Sequence, residues 1–406
     1  MFKAESSGKA VSFAVIAPGG FRRWCRSTAP GTVIPMTPSQ PAPTAAAAAA
    51  EPAPTAAEPS RHIRTAIIGF GLSGRSFHAP LIAADTAYSL DVIATSDAGR
   101  RAAASASHPG ATIVSDGAEV LALAERLDLV VIGTPPATHF PLAKAALEAG
   151  LDVVVDKPFA VSSAEGEELI ALAAELGRVL TVFHNRRWDG DFLTVQQLLA
   201  SKAVGEVYRF ESSFERWSPD IAKAWKASAT AAEGGGLLFD LGSHLIDQAI
   251  QLFGPAQVDH AELRIHRADE KADDDVFLVL RHESGVRSHL SMNALCAQQG
   301  PRFRILGSAG GFTKHGIDPQ EPYVRAGGSP LDADYGVEAS EWAGLLGRDG
   351  QLQPLPTQRG NYPEFYRLLA AKILDGGTAS PRPLPVDPED AVAVLKIIER
   401  ARTLAS

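Results

Sequence analysis

The stretch Thr65-Ala66-Ile67-Ile68-Gly69-Phe70-Gly71-Leu72-Ser73-Gly74 predicts the fold of the first half of this chain. Its apolar start is typical of a buried β-strand, and a helical stretch over residues 77–84 follows the glycines. Glycines in the pattern G-x-G-x-x-G let backbone N–H groups approach a pyrophosphate at a helix N-terminus, where a Cβ atom would obstruct it. An ordinary glycine turn is the alternative, but the strand before and the helix after favour dinucleotide binding. The candidate cofactor-binding residues are Gly69, Phe70, Gly71, Leu72, Ser73 and Gly74.

Short apolar runs alternate with helical stretches from residue 61 onward. The β-rich runs cover residues 65–70, 90–96, 129–134, 153–156 and 179–184. Helices are predicted between them, for example over residues 137–149 and 162–176, the latter closed by Gly177 in a C-cap position. Strands separated by helices indicate βαβ units and a doubly wound parallel sheet. We therefore predict a Rossmann dinucleotide-binding domain over residues 61–184.

The rhythm changes after residue 185. A helix over residues 193–201 is followed by a strand over 207–215 and a helix over 241–253. Alternating runs then cover residues 258–266, 276–282, 287–293 and 302–306, and an amphipathic helix covers 388–403. This pattern predicts an α/β domain over residues 185–406 with a large, mostly antiparallel open sheet, suited to substrate binding.

The first 60 residues differ in composition from the rest. Residues 37–60 hold ten Ala and six Pro without any periodic pattern, so they cannot bury enough surface to form a core. We predict a disordered or low-complexity extension over residues 1–60. The stretch before Met36 could be a targeting peptide, and the alternative is that Met36 is the true start.

Composition excludes several function classes. The chain has 406 residues and a net charge of −9, which argues against a broad basic face for nucleic acid. It contains no apolar run of about 18 residues, so no membrane span is expected. Its two cysteines, Cys25 and Cys296, lack metal-ligand spacing, so we expect no metal site and a reducing, cytoplasmic location.

The residues after the second predicted strand bear on cofactor choice. An NAD enzyme would place a carboxylate at this strand end, whereas Thr95 and Ser96 are neutral and Arg100 and Arg101 follow closely. This arrangement favours the 2′-phosphate of NADP. The alternative is that Asp97 is the ribose ligand, displaced by two residues, so that NAD is used.

Further candidates follow the fourth and fifth strands, at the carboxyl edge where parallel sheets bind ligands. Thr134, Pro135 and His139 are candidate cofactor contacts. Asp156 and Lys157 follow at the next strand end, and an ammonium beside a nicotinamide can stabilise alkoxide character on a reacting oxygen. The alternative for Lys157 is a plain surface lysine.

A glycine-rich stretch in the second half introduces a possible acid–base group. Asp240, His244 and Asp247 are spaced i, i+4 and i+7, which places two carboxylates and an imidazole on one helical face. A histidine beside a carboxylate is poised to act as a general base. The alternatives are a capped helix with a structural histidine, and a metal site that lacks an obvious third ligand.

Polar and aromatic residues near the predicted domain junction suit a hydroxyl-rich ligand. These candidate substrate contacts are Asn185, Arg187, Trp188 and Trp225, together with Lys157, Asp240 and His244. A plain interdomain contact is the alternative for each of the first four.

These residues resemble the Gfo/Idh/MocA family of NAD(P)-dependent oxidoreductases over nearly all of residues 61–406. The Glu-Lys-Pro of the family is replaced by Asp156-Lys157-Pro158, which keeps the lysine, and its Asp-x-x-x-His corresponds to Asp240 and His244. Within the family, residues 71–78, 185–189 and 240–244 are similar to those of NADP-dependent scyllo-inositol dehydrogenases. The resemblance also implies a homodimer or homotetramer formed through the open face of the C-terminal sheet.

The motifs and the resemblance together predict a dehydrogenase that transfers a hydride between NADP and a secondary hydroxyl or ketone of a cyclitol or sugar, with an inositol favoured. His244 would take the hydroxyl proton, Asp240 would orient the imidazole or bind a neighbouring hydroxyl, and Lys157 would steady the developing charge. An aldose or ketose reductase of the same family is one alternative. A non-catalytic, nucleotide-binding regulatory protein is the other, although such a sensor needs none of these three residues.

Overall fold

Six parallel strands form the first sheet of this computed structural model, which describes residues 62–220 and 229–405. The predicted extension over residues 1–60 lies outside the described residues. The strands are β1 (Ile63–Ile68), β2 (Tyr88–Ala94), β3 (Thr112–Val114), β4 (Leu129–Ile132), β5 (Asp152–Asp156) and β6 (Leu180–Phe183). Their order is β3-β2-β1-β4-β5-β6, which confirms the doubly wound parallel sheet. Every residue of β4 is buried, as expected for a strand covered on both faces.

Helices connect these strands. Their bounds are Ala79–Ala84, Ala98–Ser107, Gly117–Leu121, His139–Glu148 and Ser163–Leu176. A π-helical turn, Gly74–His78, runs directly into the first of them. The last one begins where the Ser162 side chain accepts a hydrogen bond from Glu165 N, and it ends at Gly177, whose φ of +63° is the left-handed conformation that glycine adopts without strain.

The second sheet has eight strands. They are β7 (Val207–Glu215), β8 (Ala256–Arg264), β9 (Asp275–His282), β10 (Arg287–Asn293), β11 (Phe303–Gly307), β12 (Gly311–Lys314), β13 (Gly344–Arg348) and β14 (Gln351–Leu355). Their order is β14-β13-β12-β11-β7-β10-β9-β8, with β7 and β10 parallel and the other neighbours antiparallel. The predicted mostly antiparallel sheet is thereby confirmed.

Further helices follow β6 along the chain. Their bounds are Gly190–Ala200, Ser243–Phe253, Gln320–Arg325, Pro363–Leu374 and Pro388–Ala405. The last of these contacts β8, β6 and the helix Ser163–Leu176, so one helix packs on elements of both halves. In residues 62–220 and 229–405 no helix combines the length and the apolar character that a membrane span requires. The predicted boundary between residues 184 and 185 falls in the short connection after β6 and stays a prediction.

We predict that Gly74→Ala destabilises the protein, because a Cβ atom at Gly74 would lie 2.1 Å from the carbonyl oxygen of Gly69. Relief of that contact requires a backbone shift, with an expected loss of about 1–3 kcal/mol in the free energy of unfolding. Gly71→Ala is the matched control, since a Cβ atom there meets nothing within 4 Å. Chemical denaturation of both variants measures the difference, and equal stability of the two would contradict the prediction.

Candidate active site

The glycine loop after β1 packs tightly against the end of β4, at the point where the strand order of the first sheet reverses. Gly69 has a φ of +102°, and a Cβ atom there would lie 2.6 Å from the Gly133 carbonyl oxygen. A Cβ atom at Gly71 would instead enter open space. Ligands of doubly wound sheets bind at this reversal point, and a loop with open space above its second glycine suits close approach of a pyrophosphate. Phe70 is buried with its ring against His108, so only its backbone is available to a cofactor.

Ser73 joins the glycine loop to the end of β5. Its hydroxyl donates a short hydrogen bond to Oδ2 of Asp156, and Oδ1 of the same carboxylate accepts from Lys157 N at 2.7 Å. Burial disfavours the charged form of Asp156, but His78, Lys157 and Ser73 outweigh burial and hold the pKa of Asp156 at about 2. The carboxylate is therefore an anion fixed between the loop and the lysine.

Lys157 reaches from the first sheet to the second half of the chain. Its ammonium donates to the Asp240 carboxylate at 3.0 Å and to the Asp240 carbonyl at 2.7 Å. Asp240 lies in a π-helical turn, Leu238–Gly242, that leads into the helix Ser243–Phe253. The side chains of Lys157 and Asp240 are 17% and 29% exposed, so a small polar molecule can reach both.

His244 lies one turn beyond Asp240 and is only 4% exposed. Its Nδ1 has no hydrogen-bond partner within the described part of the chain. Burial, together with the nearby charges of Lys157 and Arg186, lowers the pKa of His244 well below its usual value. The imidazole is therefore neutral at neutral pH and has a lone pair that can accept a proton.

The carboxylate partners differ from those that the i, i+4, i+7 spacing predicts. Asp247 accepts from Arg187 at 2.9 and 2.5 Å, and the Arg187 guanidinium also pairs with Asp390 at 2.9 Å. Asp240 pairs with Lys157. The π-helical turn widens the local helix, so residues 240–247 do not share one regular α-helical face. The Asp240 carboxylate accepts from Lys157 at 3.0 Å, and the predicted orientation of His244 by Asp240 stays a prediction.

The remaining predicted substrate contacts differ in burial and in the partners that they already have. Asn185 is buried, and Arg187 already gives two nitrogens to carboxylates. Trp188 packs edge-on against Phe365 with ring centroids 5.8 Å apart. Trp225 lies outside the described residues. Their proposed role in substrate binding stays a prediction.

The predicted ribose-binding residues lie after β2. Ser96 and Arg100 are exposed, and Thr95 is buried. Arg101 donates to Ser115 Oγ at 3.0 Å. Asp97 caps the helix Ala98–Ser107, because its Oδ1 accepts from Arg100 N at 2.8 Å. One carboxylate oxygen of Asp97, the alternative ribose ligand, thus already accepts a hydrogen bond from the helix backbone.

His139 is held by backbone carbonyls at both ring nitrogens, and its predicted cofactor contact stays a prediction. The buried ring lies 2.8 Å from the Pro158 carbonyl oxygen through Nδ1 and 2.8 Å from the Thr134 carbonyl oxygen through Nε2. Both ring nitrogens therefore face backbone, and His139 connects the loops after β4 and β5. Thr134 and Pro135 remain beside it at the carboxyl edge, with Thr134 Oγ1 accepting from Thr138.

Sequence reasoning missed two residues beside this site, His78 and Tyr366. His78 is fully buried, with Nδ1 2.7 Å from the Tyr366 hydroxyl and Nε2 3.8 Å from Asp156 Oδ2. No spacing rule connects positions that lie 78 and 288 residues apart, so the pattern carried no signal for this contact.

In the part of the chain that the structure describes, no group of three His, Cys, Asp or Glu side chains is placed to hold a metal ion.

Comparisons with known proteins agree with this architecture. Residues 63–184 match the model of an oxidoreductase family with an NAD-binding Rossmann fold, and residues 192–313 match the GFO/IDH/MocA C-terminal domain. The uncharacterized oxidoreductase YdgJ of Escherichia coli (strain K12) is 40% identical over 84% of this chain and 95% of its own length. The scyllo-inositol 2-dehydrogenase (NADP(+)) IolW of Bacillus subtilis (strain 168) is 34% identical over 84% of this chain and 92% of its own length.

Solved structures give the same result. The oxidoreductase yvaA of Bacillus subtilis superposes with a TM-score of 0.77 at 33% identity, covering 85% of this chain and 96% of its own. KijD10, a 3-ketoreductase of Actinomadura kijaniata in complex with NADP, has a TM-score of 0.70 at 21% identity, covers 85% of this chain and 98% of its own, and shares the fold. From the matched domains and these relatives, the chain belongs to the Gfo/Idh/MocA family of NAD(P)-binding oxidoreductases.

Proposed function

We propose that this protein is an NADP-preferring dehydrogenase that transfers a hydride between the nicotinamide and a secondary hydroxyl or ketone of a cyclitol or sugar, with an inositol as the favoured substrate. The single observation that carries the proposal is the Lys157–Asp240 pair beside the neutral imidazole of His244. The relative IolW supports the choice of an inositol and of NADP. The nicotinamide supplies or accepts the hydride when bound.

The chain's own residues have separable roles in oxidation. His244 accepts the hydroxyl proton, because its lowered pKa leaves the imidazole unprotonated. Lys157 donates to the reacting oxygen and stabilises its alkoxide character. Asp240 holds the ammonium in place at 3.0 Å and can accept from a neighbouring hydroxyl of the substrate. The open space at Gly71 and the tight contact at Gly69 support binding of the dinucleotide on residues 69–74.

We further propose a homodimer or homotetramer in which copies pack through the uncovered face of the second sheet. Phe277 and His289 on this face have ring centroids 6.0 Å apart, and Arg304 pairs with Glu211 beside them. The cytoplasmic location predicted from cysteine usage stays a prediction.

We predict that Lys157→Ala and His244→Ala each lower kcat/KM by about 100-fold or more, which is typical of the loss of an oxyanion donor or a general base. NADP affinity should change little, since the pyrophosphate site on residues 69–74 is separate from both. Turnover is measured by absorbance of the reduced nicotinamide, with a panel of inositols, sugars and other polyols and each cofactor.

Two exposed residues provide matched controls. Lys144→Ala removes an ammonium from the surface, and His62→Ala removes an exposed imidazole just before β1, away from the proposed interface. Both should retain wild-type rates. Near-wild-type turnover of Lys157→Ala or His244→Ala would remove that residue from the mechanism, and nucleotide binding without turnover of any polyol would favour the regulatory alternative.

We predict that Thr95→Asp reverses cofactor preference toward NAD, because a carboxylate repels a 2′-phosphate and accepts from the ribose hydroxyls. The wild-type preference should be worth a few kcal/mol at most, hence about 10- to 100-fold in kcat/KM. Ser96→Asp is a second variant at an exposed position, where folding is tolerant. A wild type that prefers NAD would indicate that Asp97 is the ribose ligand.

We predict that sedimentation velocity gives a dimer or tetramer at micromolar concentration. Phe277→Glu together with Arg304→Glu should favour the monomer, since the substitutions place negative charges against the same face of the second copy. Arg367→Glu, at an exposed position of the helix Pro363–Leu374, is the control. A monomeric wild type would overturn the proposed assembly.

A further inference from the structure

His78 is buried at a meeting point of the first sheet and the helix Pro363–Leu374. It ends the π-helical turn that follows the glycine loop, and its ring packs on Phe183 with centroids 4.4 Å apart. On one side Nδ1 lies 2.7 Å from the Tyr366 hydroxyl. On the other side Nε2 lies 3.8 Å from Oδ2 of Asp156 and has no hydrogen-bond partner among the described residues. An unpaired buried nitrogen is unfavourable, so closure onto the carboxylate is the available relief.

Asp156 receives two contacts that converge on the same atom. Ser73 of the glycine loop donates to Oδ2, and Nε2 of His78, at the end of the π-helical turn that follows, faces the same oxygen at 3.8 Å. The other oxygen accepts from Lys157 N. The carboxylate therefore connects the dinucleotide loop, the lysine that pairs with Asp240, and the buried imidazole.

The Asp156 anion that faces Nε2 favours the tautomer of His78 that carries hydrogen on Nε2, and the Tyr366 hydroxyl can donate to the other nitrogen. Burial, and then the charge of Asp156, raise the pKa of Tyr366 well above its usual value, so the hydroxyl stays protonated and can donate to Nδ1. Nε2 then carries hydrogen toward Asp156, the orientation that an anion favours. The backbone carbonyl of Tyr366 accepts from Tyr88 at 2.7 Å, which holds this part of the helix against β2.

We propose that His78 is a positioning residue for the proposed hydride transfer: its Nε2, which faces Asp156 at 3.8 Å, closes onto this carboxylate as a donor and so holds it ionised and in place between the glycine loop and Lys157. The inference rests on the proposed role of Lys157. His78 itself touches neither substrate nor cofactor, and it acts through Asp156.

The proposal has a distinctive pH dependence. The titratable groups that face Asp156 are His78, His139, Lys157 and Tyr366, and burial opposes its charge. Without the imidazole, burial should raise the pKa of Asp156 from about 2 into the pH range over which NADP⁺ binding can be measured. Protonation then removes a negative charge from the edge that receives the cationic nicotinamide and loosens the acceptor of Ser73.

The test measures NADP⁺ dissociation constants of the whole protein by calorimetry from pH 8 to pH 5, as the ratio of variant to wild type at each pH. For His78→Leu the ratio should rise at least about fivefold as the pH falls, as protonation of one carboxylate predicts. His78→Gln keeps an N–H donor and should restore a nearly constant ratio. Tyr366→Phe leaves the imidazole in place and should show a smaller rise of this ratio. It replaces His78→Leu in the test if the leucine variant fails to fold.

One further variant identifies the titrating group, and another controls for lost stability. Asp156→Asn cannot titrate, so adding His78→Leu to it should give no pH-dependent rise. Leu81→Ala, a buried substitution in the same helical segment, lowers stability without touching Asp156 and should leave the ratio constant. A constant ratio in both His78→Leu and Tyr366→Phe, or a rise that persists with Asp156→Asn, overturns the proposal. These binding measurements need no substrate. If the wild type shows no turnover, the proposed function fails, but the pH dependence of NADP⁺ binding still tests the role of His78.

Discussion

The contact between Lys157 and Asp240 brings the two halves of the chain to one site. An ammonium that is 17% exposed needs a partner for its charge, and the partner comes from a helical segment 83 residues later in the sequence. The pair therefore constrains the end of β5 against the turn before Ser243–Phe253. His244 follows in that helix, so the same contact sets where the imidazole lies relative to the first sheet.

The second half holds the His244 helix with buried polar contacts. Gln248, one turn beyond His244, donates to the Arg186 carbonyl at 2.9 Å and accepts from Arg302 at 2.7 Å. Arg186 in turn pairs with Asp189, which also accepts from the Tyr362 hydroxyl at 2.7 Å. Each buried charge has an opposite charge or a hydrogen-bond donor nearby, as burial requires. The result is a helix whose position is fixed by the Arg186 backbone carbonyl and the Arg302 side chain, which come from two separate segments.

Much of the architecture was predictable because it depends on local patterns. The predicted strand over residues 207–215 and that over 287–293 match β7 and β10 residue for residue. Burial alternates along these strands, with one face on the core, and this is the pattern that a sequence displays. The strands β3, β12, β13 and β14 went unpredicted, because each is short and lacks the longer apolar run that marks β4 and β5, and glycines lie in β12 and β13. The helix Pro363–Leu374 was also missed.

The sequence by itself determined the dinucleotide loop, the two sheets and the residue types of the candidate site. Glycine spacing has a local meaning, because a missing Cβ acts on atoms within a few ångströms along the same turn. Which carboxylate pairs with which cation was decided only by the tertiary structure. Spacing predicted Asp240, His244 and Asp247 on one helical face, whereas in the folded chain Asp247 pairs with Arg187, Asp240 pairs with Lys157, and Asp156 faces His78. These partners lie 60 to 83 residues apart, and electrostatic pairing depends on distance in space, which no local period encodes.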